Sequence, residues 1–289
     1  VSTPLAPAIA DALAQQLDAF RGAAEASGDA GDEEAAHRVR VTARRLHAVL
    51  LLWRPLLALP AAVRPGVLRR VERRFGARRD LDVLRARVES LRTTEQPLAD
   101  AIATLRARTA DAEERGRLVL RRRSTRRTIA AIAEWIATPA WTPLATWSPP
   151  HLLPWLIAPS ASRVLVHPGW AVAGIPEPDD PGGRPLHRLR RRLKALRYRL
   201  ECVSGWYGAP IEEWLAELHA MQDALGAWHD EGVMLRMLVH AGLEPALGAV
   251  ARTRAAAAMA PWPAWRERYL DAGVRSRCWA LLGPPPAAV

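Results

Sequence analysis

The sequence predicts an all-α fold of two pseudo-symmetric four-helix bundles, each a copy of one helical unit. Three observations carry that expectation. Alanine, leucine and arginine dominate the 289 residues, while Phe and Tyr together number five. That balance favours helices over strands, which enrich β-branched and aromatic side chains. Apolar residues recur at spacings of three and four, the period of one buried helix face. A shift of 150 residues also aligns two stretches without gaps. His37-Arg38-Val39-Arg40 meets His187-Arg188-Leu189-Arg190, and Leu46 and Leu50 meet Leu196 and Leu200. Gly76-Ala77-Arg78-Arg79-Asp80 meets Gly226-Ala227-Trp228-His229-Asp230, and the His-to-Asp separation is 43 residues in both copies. Two matches in one register mark an internal duplication, with residues 1–140 as the first half and 141–289 as the second.

Periodicity and breakers place the helices in order. In the first half they run near 5–27, 32–58, 63–95 and 97–137. In the second they run near 149–172 (kinked), 184–207 and 210–240, with a last stretch from 243 to 282 that Pro261 and Pro263 break. Pro65 and Pro210 sit near helix starts, where a missing N–H costs little. Between the copies, residues 138–185 hold eleven of the 24 prolines, so short pieces are expected, ending in a loop over 175–183. Its Trp141, Trp147, Trp155 and Trp170 predict packing against neighbours. Gly76 and Gly226 fall inside helices and are costly there unless another helix approaches closely.

The formal net charge is +11, from 41 cationic and 30 acidic residues, and Lys194 is the only lysine. Such an excess predicts acidic partners. Guanidinium groups fork onto phosphate or carboxylate oxygens, where an ammonium acts as a point charge. Cys202 and Cys278 match no metal or redox spacing and fit a reducing compartment. The first twenty residues lack the basic and apolar regions of a secretory signal. The longest apolar run, 48–63, is interrupted by Arg54, Pro55 and Pro60, so no membrane span is expected. The expectation is a soluble cytoplasmic protein with no cofactor and no metal.

The second helix of each half carries two stripes. Val39, Ala43, Leu46, Leu50, Trp53 and Leu57 form an apolar seam, repeated as Leu189, Leu193, Leu196, Leu200, Val203 and Tyr207. Such a seam faces neighbouring helices. About 100° further round lie His37, Arg40, Arg44 and His47, matched by His187, Arg190, Lys194 and Arg197. All eight are basic types. The opposite flank, Arg38, Thr42, Arg45 and Val49 against Arg188, Arg192, Ala195 and Arg199, is not kept basic. Like charges at these spacings repel, so a stripe retained in both copies points to a compensating polyanion, spread over about 15 Å from His187 to Arg197. A merely solvated helix carries mixed signs along one face. Arg121, Arg122, Arg123, Arg126 and Arg127 on the predicted fourth helix either line the same site or face water. Arg122 and Arg126, with Arg78 and Arg79, are the additional candidates. Asp80 and Asp230 are expected to orient basic side chains through ion pairs.

At these residues the chain resembles the CHAD family, the conserved histidine α-helical domain. HRVRVTARRLHAVL (37–50) resembles the family pattern H-x-x-R-V-x-x-R-R-L. HRLRRRLKALRYRLE (187–201) resembles H-x-x-R-x-x-x-K-x-L-R-Y, and each is followed by G-x-x-x-D. The resemblance covers about 5–282, reading the chain as a single CHAD domain. It implies two bundles with a basic channel between them, inorganic polyphosphate as the partner, and polyphosphate granules as a location. Residue by residue it points to His37, Arg40, Arg44 and Arg45, then to His187, Arg190, Lys194, Arg197 and Tyr198. His47 on the stripe and Arg191 beside Arg190 complete the candidate set. The prolines of the middle segment and Pro261 to Pro263 depart from a regular second bundle.

Two other classes compete. Single-strand nucleic-acid binders interleave aromatic platforms with cations, and the stripe holds no Phe, Tyr or Trp, leaving non-specific binding by charge. An enzyme is not expected. The chain contains no G-x-x-x-x-G-K-[ST], no H-E-x-x-H and no E-x-E-x-K of the CYTH triphosphatases, and metal at His37 or His187 is disfavoured by the surrounding cations.

Overall fold

Every residue of the two apolar seams is buried, from Val39 to Leu57 and from Leu189 to Tyr207. These seams organise the fold, because fully burying one leucine-sized side chain contributes about 1.5–3 kcal/mol. The computed structural model describes residues 5–27, 33–89, 96–240 and 244–284; the side chains of 33, 79, 87, 88, 96–98, 101 and 244–247 lie outside the described residues. Among those described the chain is helical, with no strand and a single isolated bridge between Leu57 and Trp141. No described helix is long and apolar enough to cross a membrane.

The chain divides into two compact units, one of residues 1–90 and 102–148, the other of 91–101 and 149–289. In the first unit α1 (Leu5–Ala26) and α3 (Pro65–Glu89) both pack on α2 (Glu33–Trp53). The expected helix over 32–58 stops at Trp53, since Pro55 cannot donate to the preceding turn; a 3-10 turn, Arg54–Leu56, follows. The helix expected over 97–137 is two helices, α4 (Gln96–Arg121) and α5 (Arg123–Ala137). Arg122 breaks them with extended backbone (ψ 136°). The Thr125 hydroxyl donates to the carbonyl of Val119 at 2.7 Å, satisfying a group that the end of α4 would leave orphaned. The chain after α5 returns to the exit of α2, where Ala58 N donates to Ala140 O at 3.0 Å and Thr142 N to Leu56 O at 2.9 Å.

In the second unit α7 (Arg184–Glu201) is central, packing on α6 (Pro149–Leu165) and α9 (Ala209–His240). Between them, α8 (Ser204–Tyr207) ends at Gly208, whose φ of 72° favours glycine. The final stretch breaks into α10 (Glu244–Ala258), α11 (Trp262–Leu270) and α12 (Ala272–Ala280). Two of the four middle-segment tryptophans pack as expected. Trp170 stacks on Tyr269, with centroids 4.5 Å apart, and on Trp262; Trp141 meets Trp135 edge-on. Trp147 and Trp155 instead face outward, Trp155 at 74 % exposure.

The loop over 175–183 is strapped across α9. The indole N–H of Trp228 donates to Pro176 O at 3.1 Å, and Gly232 lies against the Pro178 carbonyl with no room for a Cβ. Glu177 faces Arg252 of α10 at 3.7 Å. The strap roofs one side of α7, beside His187.

Candidate functional site

The basic stripe of α2 is half-buried against α3, the face that the seam's neighbour must take. Arg40 approaches Asp80 of α3 (Nη1 to Oδ1 3.6 Å), and Arg44 Nε donates to Glu72 Oε1 at 2.6 Å. Gly76 is where the Arg40 guanidinium crosses α3: a Cβ there would sit 3.6 Å from Nε. His47 is half-buried; burial holds its pKa below the usual imidazole value, with Arg69 adding and Glu72 opposing. Arg45 is exposed. Much of this stripe's charge is thus already balanced by carboxylates of α3.

The repeat reproduces one half of that geometry in the second unit. Arg190 crosses α9 at Gly226, where a Cβ would lie 3.3 Å from Nη2. The glycine of each G-x-x-x-D element is therefore the seat of an H-x-x-R guanidinium, the close approach being a side chain and not another helix. The balance of charge differs, however. Arg190 has no carboxylate partner among the described residues, and the counterpart of Glu72 is the neutral Gln222. Lys194 is half-buried, and Arg191 is exposed. Arg197, at 8 % exposure, is tied within the unit: Nη1 is 3.2 Å from Glu201 Oε1 and 2.8 Å from His219 Nε2, and its guanidinium lies 4.3 Å from the Tyr198 ring centre.

His187 opens onto a cavity of about 420 Å³ beneath the strap. Arg184, Arg188 and Arg191 of α7, His229 and Arg236 of α9, and Asp179 and Asp180 of the loop line it, over the Trp228 ring. The His187 and His229 rings are 4.4 Å apart. His187 Nδ1 is buried without a hydrogen-bond partner. Its pKa is lowered to about 4, first by burial, then by His229, Arg191, Arg190 and Arg236. A neutral imidazole with an unused nitrogen beside four guanidiniums can donate to an anion and gain a proton when one arrives.

Of the additional candidates, Arg78 does not reach this kind of surface. It is 5 % exposed, with Nη1 3.2 Å from Glu113 Oε2 and Nε 3.5 Å from Asp82 Oδ2. The Arg79 side chain lies outside the described residues. Arg122 and Arg126 are exposed at the start of α5. Arg184, Arg188, His229 and Arg236 line the cavity without being among the candidates that the sequence offers. Their signal was present, since Arg184, Arg188 and Arg191 fall at i, i+4 and i+7, and His229 and Arg236 are seven apart on one helix face.

The family described as CHAD domain matches residues 11–239. Among solved structures, the fold resembles the CHAD domain from the plant Ricinus communis, at 23% identity and a TM-score of 0.66, covering 99% of this chain and 94% of that one. It also resembles PptA from Streptomyces chartreusis, at 20% identity and a TM-score of 0.60, covering 96% of this chain and 100% of that one. No curated protein matches the sequence.

Proposed function

Because the chain belongs to the CHAD family, we propose that it binds inorganic polyphosphate and does not turn it over. One observation carries the reading. In the second unit a buried imidazole nitrogen without a partner lies beside guanidinium groups that outnumber the carboxylates around them. Arg184, Arg188, Arg191 and Arg236 would fork onto phosphoryl oxygens, Arg190 and Lys194 would continue the contact along α7, and His187 would donate. In the first unit Arg40 and Arg44 must compete with Asp80 and Glu72 for the anion. That stripe, with His37, Arg45 and His47, is assigned the weaker share. The two-bundle arrangement with a basic channel, and residence at polyphosphate granules, belong to the same proposal.

The test is calorimetric titration with long-chain polyphosphate, with single-stranded DNA as competitor. The reading expects polyphosphate binding that excess DNA does not displace. Contact with about four phosphates should weaken affinity about a hundredfold between 50 and 200 mM salt, by analogy with nucleic acids. Equal binding to the two polymers would leave only non-specific attraction by charge, and turnover of a phosphoanhydride would replace binding with catalysis.

A further inference from the structure

Arg123 and Arg127 sit on the first turns of α5, and Arg64 lies in the connection between α2 and α3. Together with Ser124 and Thr128 they line a cavity of about 400 Å³, closed on the other side by Ala61 and Ala62. No carboxylate lines it, and none of the three arginines is ion-paired among the described residues. The cavity is held in shape by the Thr128 hydroxyl, which donates to Ala62 O at 3.1 Å, and by the Thr125 hydroxyl bond to Val119 O. Both fasten α5 without using a cationic group.

The placement of these charges is unfavourable by itself. Arg123, Arg126 and Arg127 repel one another at i, i+3 and i+4. They also stand at the positive end of the helix dipole, where acidic residues are favoured and this helix has none in its first turn. Elsewhere in this unit Arg44 is balanced by Glu72 and Arg78 by Glu113. Here the compensation is missing and a preformed cavity stands in its place.

We propose that this cavity is a second oxyanion site, separate from the one at His187, and that it takes a pyrophosphate-sized phosphate anion, free or as the end of a phosphate chain. Three forked guanidiniums and a serine hydroxyl match an anion with several peripheral oxygens better than a single carboxylate. The site shares no residue with the α7 cavity or with the stripe of α2. His37 is near the start of α2 and the cavity at the turn beyond its end; His37 and Arg54 are separated by about 25 Å of helix. The site can therefore fail while the polyphosphate reading holds, and the reverse.

The experiment is calorimetric titration of the full chain with inorganic pyrophosphate. It compares Arg123→Ala/Arg127→Ala with Arg70→Ala/Arg74→Ala, which removes two exposed charges of α3 outside the cavity. Losing two charge-assisted contacts should weaken pyrophosphate binding at this site about tenfold or more, and the control pair should change it about twofold or less. Relief of repulsion should leave the melting temperature of the Arg123/Arg127 variant unchanged or raised, which circular dichroism reads. In an Arg190→Ala/Lys194→Ala background, long-chain polyphosphate that displaces pyrophosphate assigns the site to a chain end, and failure to displace it assigns the site to the free anion. Equal losses in the two arginine pairs, or none in either, would overturn the proposal.

Discussion

At 5 % exposure, Arg78 cannot both hold Asp82 and Glu113 and reach an anion in solvent. Its sequence context, an arginine pair before an aspartate, does not reveal this, because Glu113 comes from a helix more than thirty residues on. Arg78→Ala should cost about 3 kcal/mol of stability in urea unfolding, since it strips a partner from the buried Asp82. Polyphosphate affinity should stay within about twofold, because a buried guanidinium held by two carboxylates offers the anion no contact; a selective loss of affinity would return Arg78 to the site. His187 makes the opposite case. Its folded pKa of about 4 lies below the ordinary 6.5, so between those values the unfolded chain binds more protons than the folded one. Its contribution to stability is complete above pH 6.5 and is lost as pH falls toward 4. On the proposed function, a bound polyanion should offset the field of the arginines on the ring and raise that pKa. Binding should then take up a proton and tighten as pH falls from 7 to 6, which calorimetry in buffers of different ionisation heat measures. His187→Gln should abolish the uptake; uptake unchanged in that variant would place the proton elsewhere.

The helices were legible where a local rule decides them. The seams of α2 and α7 follow from spacing alone, and Pro65 and Pro210 fall at or just inside the first turns of α3 and α9. The break at Arg122 was not legible, because no proline or glycine marks it; a long-range tie through Thr128 and a local one through Thr125 hold it. The stripes were legible as positions and not as charge states. Which cations are balanced depends on the facing helix, and Arg44 meets Glu72 of α3 where the position 150 residues on is the neutral Gln222. This difference yields a gain-of-function prediction. Glu72→Gln gives the first unit the residue of the second, removes one opposing carboxylate from Arg44, and should raise polyphosphate affinity about threefold to tenfold, within the range of one charge-assisted contact. Unchanged affinity by calorimetry would mean that the α2 stripe takes no part.

For the whole molecule, the duplication at an offset of 150 is legible in the residues themselves, and it returns in the fold as a contact: an arginine laid across a glycine in each unit. The net charge of +11 points to an acidic class of partner. Neither could reveal the roofed cavity, which depends on a proline-rich strap docking onto Trp228 and Gly232. The central claim is that the second unit's basic surface holds a phosphate chain. Its most direct test is titration of the wild type and of Arg190→Ala/Lys194→Ala with long-chain polyphosphate at one low salt concentration. The account predicts a loss of affinity of about tenfold to a hundredfold, with secondary structure retained, as for two charge-assisted contacts removed. Equal affinity in the two proteins would contradict it.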